Sequence, residues 1–182
     1  EKFAHFQNAK YCISTSSGTT ALWVALKEAG VKAGDEVIIP PYTFIGTASA
    51  VLMANAVPVF VDIDPNTHNI DSSKIEEAVT KKTKVIMPVH ISGNPADMDN
   101  IIQLSKKYGI QVIEDAAQAH GAEWNNVKVG ALGLGGIFSF QTSKNMSAGE
   151  GGAIVSNDKE FINKCFSYHN CGRTSEGQFY DH

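Results

Sequence analysis

The sequence has few cysteines, little net charge and no long apolar run. Cys12, Cys165 and Cys171 show no metal-binding spacing, so we interpret them as three ordinary thiols and expect no metal site. A sparse, odd set of cysteines fits a reducing compartment, and we expect a cytoplasmic location. The net charge at pH 7 is −4, which does not suggest a nucleic-acid partner. No apolar run is long enough to span a membrane, and no glycine-rich segment carries a Walker or dinucleotide fingerprint.

The composition and hydrophobic pattern are those of an ordinary globular α/β domain. Of the 182 residues, 43% are hydrophobic and 19% are charged, and one domain is expected at this length. Short apolar runs alternate with helical periodicity, which predicts a mostly parallel sheet covered by helices on both faces. Helices are predicted at 1–6, 19–29, 44–55, 71–79, 97–108 and 158–168, and strands at 37–39, 57–61, 84–90, 110–114, 137–140 and 153–156.

Lys144 is the single cation in a stretch, 138–152, that begins with an apolar run and ends in glycines. Such a pattern predicts a lysine in a tight loop close to the end of a strand. Taken alone, a solvated loop lysine would be the ordinary interpretation. Two segments upstream favour a functional one.

The first upstream segment, 112–118, is a β-branched apolar run that ends in Glu114 and Asp115. It predicts a buried strand with a carboxylate at its carboxyl end, where open α/β sheets bind ligands. The second, 16–22, is a small polar turn that opens a helix, and backbone amides at a helix start favour a phosphate. A lysine amine, a strand-end carboxylate and an anion cradle are what pyridoxal 5'-phosphate requires. The amine forms a Schiff base, the acid pairs with the pyridinium nitrogen, and the helix start takes the phosphate.

Several segments in a fixed order carry a family resemblance. They are 17–22, 34–40, 43–44, 58–62, 114–121 and 138–140 ahead of Lys144. Together they resemble the DegT/DnrJ/EryC1/StrS family of pyridoxal-phosphate-dependent sugar aminotransferases. The resemblance implies the large domain of fold type I, a three-layer α/β/α sandwich with a mixed, mostly parallel sheet of about seven strands. Family chains are about twice as long, so we expect residues 1–182 to be a cofactor-binding domain without its small C-terminal domain, or a fragment of a longer gene.

The resemblance gives roles to Lys144 and Asp115. Lys144 would link covalently to the cofactor and then move a proton at the substrate carbon. Lysine there argues against the dehydratase branch of the family, which has histidine. Asp115 would keep the pyridine nitrogen protonated, although a helix N-cap is the alternative. If the strand continues, Glu114 points to the opposite side.

Two further cofactor contacts follow from the resemblance. Gln118 would lie near the phenolic oxygen of the cofactor, the alternative being a surface amide. Phe44 would stack on the ring, the alternative being a core aromatic. His120 has no assigned role, since a packed histidine is equally consistent with the sequence.

The phosphate is expected to bind at the start of the first long helix. Gly18 would permit close approach of the chain, while Thr19 and Thr20 would offer backbone amides and Thr19 a hydroxyl. Simple helix capping by Ser17 or Thr19 is compatible with this role. Ser139, five residues before Lys144, matches the family's phosphate-binding serine.

The implied reaction transfers an amino group from glutamate or glutamine to a keto sugar, with a nucleotide-linked sugar as the first choice. Residues 140–144 and 149–152 also resemble the branch that aminates keto-cyclitols such as scyllo-inosose or makes aminohydroxybenzoate. A non-catalytic or regulatory relative is the alternative of another class, although the intact Lys144 and Asp115 argue against it. The resemblance alone implies a homodimer with a shared active site.

Overall fold

A mixed sheet organises the protein, whose computed structural model describes residues 1–174. The strands in chain order are β1 (Tyr11–Thr15), β2 (Glu36–Ile39), β3 (Val57–Phe60), β4 (Thr83–Ile86), β5 (Gln111–Asp115), β6 (Glu123–Trp124), β7 (Val127–Lys128), β8 (Gly135–Ser139) and β9 (Gly152–Ser156). Seven of them form one sheet in the order β1-β9-β8-β5-β4-β2-β3, and β6 and β7 form a separate hairpin. Only β9 runs antiparallel to its neighbours β1 and β8, so the predicted mixed, mostly parallel sheet is confirmed.

Helices cover both faces of this sheet. They are α1 (Lys2–Phe6), α2 (Gly18–Glu28), α3 (Gly46–Met53), α4 (Ile75–Ala78), α5 (Met98–Tyr108) and α6 (Lys159–His169). Alternate strand residues point to opposite faces. Accordingly, Val37 and Ile39 pack with α2, α3 and α6, whereas Ile38 packs with α4 and α5. The three-layer sandwich is therefore confirmed. Within residues 1–174 no helix is both long and apolar enough to cross a bilayer.

Three predicted elements differ from the observed ones. The helix predicted at 44–55 begins only at Gly46, which leaves Phe44 in the loop before it. The helix predicted at 71–79 is a 3-10 turn, capped by the Asp71 carboxylate, that continues into the short α4. The strand predicted at 84–90 ends at Ile86, and pairing resumes only as an isolated bridge at Val89. Pro88 has no amide hydrogen for a continuous ladder, which explains the interruption.

The sequence patterns do not predict β1 or the β6–β7 hairpin. β1 pairs on one side only, with β9, so its sequence lacks the continuous apolar run of a central strand. The hairpin strands have two residues each and are joined by Asn125 and Asn126, both with positive φ. Two consecutive asparagines are a signal for such a turn.

Glu114, near the end of β5, is a buried hydrogen-bond centre on the face opposite to Asp115. Its Oε1 accepts from the amides of Leu132 (2.8 Å) and Gly133 (2.9 Å), and its Oε2 accepts from the amide of Gly130 (2.6 Å). His90 Nε2 lies 3.1 Å from the same Oε2. The opposite orientation of the two neighbouring acids is thus as predicted, and Glu114 fixes the loop that leads into β8.

The tautomer of His90 follows from its surroundings. His90 Nδ1 accepts a hydrogen bond from the Ala96 amide at 3.0 Å, so this nitrogen carries no hydrogen. Nε2 must therefore be the donor to Glu114. The neutral imidazole and the carboxylate then satisfy each other in a region where neither side chain has any exposure.

We expect Glu114→Gln to lower the free energy of unfolding by about 3 kcal/mol. Hydrogen bonds to a buried charge are lost, and the side-chain NH₂ of glutamine would face backbone N–H groups of the 130–133 loop. Urea unfolding of the full-length protein measures this. Glu123→Gln on the exposed hairpin is the matched control and should change stability by less than about 0.5 kcal/mol. Equal losses in the two variants would contradict the structural role of Glu114.

Candidate active site

One cavity of about 530 Å³ lies at the carboxyl ends of β5 and β8, beside the first turns of α2 and α3. Its size is within the range for small-molecule sites, and its position is where parallel strands present ligand-binding residues. Seven of the eight residues that the sequence suggested line it: Gly18, Thr19, Phe44, Asp115, Gln118, Ser139 and Lys144.

Thr20 is the residue that the cavity does not include. Its amide donates to Ser17 Oγ at 3.1 Å, so Ser17 is the N-cap of α2. Its hydroxyl lies 3.0 Å from the same Ser17 oxygen and 3.1 Å from Ser16 Oγ. The Thr20 amide thus takes part in capping α2, a role compatible with phosphate binding, and the phosphate contact of Thr20 stays a prediction.

The amides of Gly18 and Thr19 belong to the first turn of α2, where backbone amides have no intrahelical acceptor. Ser139, buried at the end of β8, lies against this turn. A Cβ atom at Gly18 would be 2.9 Å from Ser139 Cβ, closer than side chains pack. Glycine thus lets two amides and a hydroxyl meet at one place, which fits a phosphate group.

Asp115 ends β5 inside the cavity and is only 5% exposed. Its Oδ2 accepts a 2.7 Å hydrogen bond from Thr47 Oγ1, and its Oδ1 accepts one of 3.2 Å from the Ala117 amide. Burial raises the pKa of this carboxyl, and the two hydrogen bonds act in the opposite direction. Within residues 1–174 no lysine or arginine lies within salt-bridge distance of it. A buried carboxylate of this kind fits a ligand that presents a positively charged N–H.

Lys144 lies in the loop between β8 and β9 and is partly buried. Its amide closes a turn onto the Gln141 carbonyl at 2.9 Å, and the Ala148 amide bonds to the Phe140 carbonyl at 2.8 Å. These contacts hold the loop at the cavity. In the part of the chain that the structure describes, the Lys144 amine has no hydrogen bond or ion pair, so it is available to a ligand.

Gln118 and Phe44 line the cavity at different depths. Gln118 Oε1 accepts from the Ser92 amide at 2.7 Å, which leaves its Nε2 as the donor for a ligand. Phe44 is 65% exposed, so it is not a core aromatic. His120 does not line the cavity; it packs against the rings of Phe138 and Phe140, and burial lowers its pKa.

Thr47 forms the shortest side-chain contact with Asp115, and no sequence pattern predicts a role for it. A threonine in a run of small residues carries no local signal for such a contact. The two residues are 68 positions apart, and only the packing of α3 beside β5 brings them together.

A sheet of this order between two helical layers, with a lysine and a buried carboxylate at its carboxyl ends, is the fold of type I pyridoxal-phosphate-dependent aminotransferases. The family within that class follows from the sequence. Residues 1–182 match the DegT/DnrJ/EryC1/StrS aminotransferase family, and the chain belongs to it.

Two curated relatives illustrate the range of this family. The chain is 44% identical over 176 residues to the L-glutamine:2-deoxy-scyllo-inosose aminotransferase of Streptomyces lividus, covering 97% of this chain and 42% of that protein. It is 50% identical over 163 residues to the pleiotropic regulatory protein of Geobacillus stearothermophilus, covering 89% and 44%. The chain thus spans less than half the length of the curated relatives it matches.

Solved structures agree with this assignment. The crystal structure of 3-amino-5-hydroxybenzoic acid synthase superimposes with a TM-score of 0.93 at 43% identity, covering 100% of this chain and 48% of that one. NtdA from Bacillus subtilis, solved with its bound cofactor PMP, gives a TM-score of 0.88 at 38% identity, covering 99% and 42%.

Proposed function

We propose that the protein containing this chain is a pyridoxal-5'-phosphate-dependent aminotransferase that moves an amino group from glutamine or glutamate to a keto-cyclitol or keto sugar. One observation carries the proposal. The Lys144 amine, the buried Asp115 carboxylate and the amide-rich start of α2 all face a single cavity. These are the three groups that the cofactor needs, and the residues present fit it.

When bound, pyridoxal phosphate supplies a ring that accepts electrons from the carbon next to the transferred amino group. Lys144 would hold the cofactor covalently and, once freed, take and return a proton at that carbon. Asp115 would keep a proton on the ring nitrogen. The amides of Gly18 and Thr19 and the Ser139 hydroxyl would bind the phosphate.

Two cavity residues would complete the binding of the ring. Phe44, at the mouth, would cover one face of the ring and limit its contact with water. Gln118 would donate from Nε2 to the phenolic oxygen, because its Oε1 is already occupied by the Ser92 amide.

The choice of acceptor rests on similarity. The identity to an aminotransferase named for 2-deoxy-scyllo-inosose supports a keto-cyclitol. The likeness to 3-amino-5-hydroxybenzoic acid synthase supports an aminohydroxybenzoate-type product, also on a six-membered carbon ring. A nucleotide-linked keto sugar remains the other acceptor within this proposal.

We further propose that residues 1–182 form the large cofactor-binding domain of a longer, cytoplasmic homodimer whose subunits share their active sites. The relatives are more than twice as long as the matched region, which supports the domain assignment. The free cysteines suit a reducing compartment. A second copy is supported by large apolar side chains that are 48–68% exposed around the cavity mouth and the β3 edge, namely Tyr42, Phe44, Ile45, Leu52, Met53, Val57 and Phe60.

A regulatory role is the second candidate, because a relative 50% identical to the chain is named a pleiotropic regulatory protein. Removal of the Lys144 amine should abolish the output of an enzyme, whereas the output of a non-catalytic regulator should not depend on that amine. A regulatory output that persists in Lys144→Ala, in a protein that shows no amino transfer with any donor, would favour regulation.

The cofactor assignment is tested by covalent labelling. We expect the purified full-length protein to be yellow and borohydride reduction to fix the cofactor on Lys144, since this is the lysine that faces the cavity. Peptide mapping identifies the site. A label on Lys128 or Lys159 would contradict the assignment of Lys144.

The donor and acceptor are tested with the same preparation. Loss of the cofactor's absorption band on addition of glutamine or glutamate identifies the donor. Product analysis with 2-deoxy-scyllo-inosose and, separately, with a nucleotide-linked keto sugar then distinguishes the two acceptors.

A further inference from the structure

Two threonine hydroxyls lead from the cavity wall to the Asp115 carboxylate. Thr47, in the first turn of α3, is 1% exposed, and its Oγ1 donates to Asp115 Oδ2 at 2.7 Å. Thr43 Oγ1 lies 2.7 Å from Thr47 Oγ1, and both threonines line the cavity. These contacts form a continuous row of short hydrogen bonds that ends on the buried acid.

The donors and acceptors in this row of hydrogen bonds are set by the carboxylate of Asp115. An ionised carboxylate only accepts hydrogen bonds, so the single hydrogen of the Thr47 hydroxyl is directed to Asp115. Thr43 must then be the donor in the contact with Thr47. The row therefore runs from Thr43 to Thr47 to Asp115, and hydrogen bonds aligned in this way polarise and strengthen each other.

The position of Thr47 is fixed by the packing of α3. A Cβ atom at Gly46 would be 2.8 Å from Thr19 Oγ1, so the start of α3 lies directly against the start of α2. Asp115 Oδ1 is held independently by the Ala117 amide. The two carboxylate oxygens thus have donors from different elements, which together define the rotation of the carboxylate group.

We propose that Thr47 is a positioning residue that orients the Asp115 carboxylate toward the ring nitrogen of the cofactor, with Thr43 as the outer member of the same row. This inference rests on the proposed function, because it assumes that Asp115 meets that nitrogen. Thr43 is partly buried and lines the cavity. A ligand or water that donates to the Thr43 oxygen would therefore be coupled to Asp115 through two hydroxyls.

The test uses the full-length holoenzyme and three variants. Thr47→Val keeps the size of the side chain and removes the hydroxyl, Thr47→Ser restores the hydroxyl, and Ser49→Ala changes the same helix outside the cavity lining. We expect Thr47→Val to slow the half-reaction with glutamine by about tenfold or more, the value of a hydrogen bond to a charged group. NMR of the isotopically labelled ring nitrogen should shift toward its deprotonated position.

Thr47→Ser should restore both the rate and the nitrogen signal, and Ser49→Ala should match the parent. A Thr47→Val protein that is slower but has the parent's nitrogen signal would overturn the proposal, because a purely structural loss leaves that signal in place. If Thr47→Val does not fold, Thr43→Val is measured instead. We expect it to shift the nitrogen signal in the same direction but by a smaller amount. No shift in Thr43→Val would overturn the proposal.

The failure of this inference differs from the failure of the proposed function. If the parent is labelled at Lys144 but Thr47→Val leaves the nitrogen signal unchanged, only the role of Thr47 is overturned. If the parent does not take up pyridoxal phosphate at all, both are overturned.

Discussion

Replacing Lys144 with alanine is expected to abolish amino transfer by the full-length protein while leaving its fold intact. The side chain lies in a loop between β8 and β9 and makes no hydrogen bond or ion pair within residues 1–174, so its removal should change the free energy of unfolding by less than about 0.5 kcal/mol. In the proposed mechanism the reaction would lose its proton carrier, which should slow the half-reaction with an amino donor roughly 1,000-fold or more. Single-turnover absorbance and urea unfolding measure the two quantities.

Lys159→Ala is the matched control, since this exposed lysine begins α6 away from the cavity. It should retain the parental rate. A small primary amine added to Lys144→Ala should restore part of the rate, because it can carry the proton that the side chain no longer carries. Parental activity of Lys144→Ala without added amine would remove Lys144 from the mechanism.

Asp115→Asn should retain the fold and still bind the cofactor, yet lose most amino transfer. The proposed covalent link at Lys144 and the proposed phosphate contacts would remain, but an amide cannot hold a proton on the ring nitrogen as a carboxylate does. The buried position of Asp115 strengthens its charge contact, so we expect the half-reaction to slow about 100-fold or more. Half-reaction rates and cofactor occupancy are measured together.

Glu114→Gln is the control for this substitution, since Glu114 points to the opposite face of the sheet and accepts from the 130–133 loop. Its rate per bound cofactor should stay close to that of the parent even where stability falls. An Asp115→Asn rate equal to the parental one would exclude Asp115 from the chemistry. A larger loss of rate in Glu114→Gln than in Asp115→Asn would reverse the two roles.

The stability of the cofactor-free protein should depend on pH through Asp115, and Asp115→Asn should remove that dependence. Burial raises the pKa of Asp115 in the folded state above its unfolded value, so ionisation is less favourable in the fold. Stability therefore falls as the pH rises from the unfolded value, about 3.9, through the raised folded value. Asparagine carries no charge at this position, so the stability of the cofactor-free variant should lack this fall with rising pH. Unfolding of both proteins as a function of pH measures this difference.

Much of the fold was predictable because the signals are local. Short apolar runs at 37–39 and 110–114 marked central strands, and Gly30 and Gly109 lie just past α2 and α5, as is usual in α/β units. The boundaries were less accurate where backbone chemistry intervened. Pro88 ended β4 early, and the 72–78 segment divided between two kinds of helix.

The sequence by itself determined the family, the mixed sheet between two helical layers, and the lysine loop and strand-end acid that face one cavity. These features depend on residue type and on spacing along the chain, which are read directly from the sequence. Only the tertiary structure decided which side-chain atoms form hydrogen bonds with each other. Packing directed Glu114 to the amides of the 130–133 loop and brought Thr47 from 68 positions away to Asp115. Such contacts depend on how α2, α3 and β5 lie against each other, and no local pattern encodes the direction of a side chain across that distance.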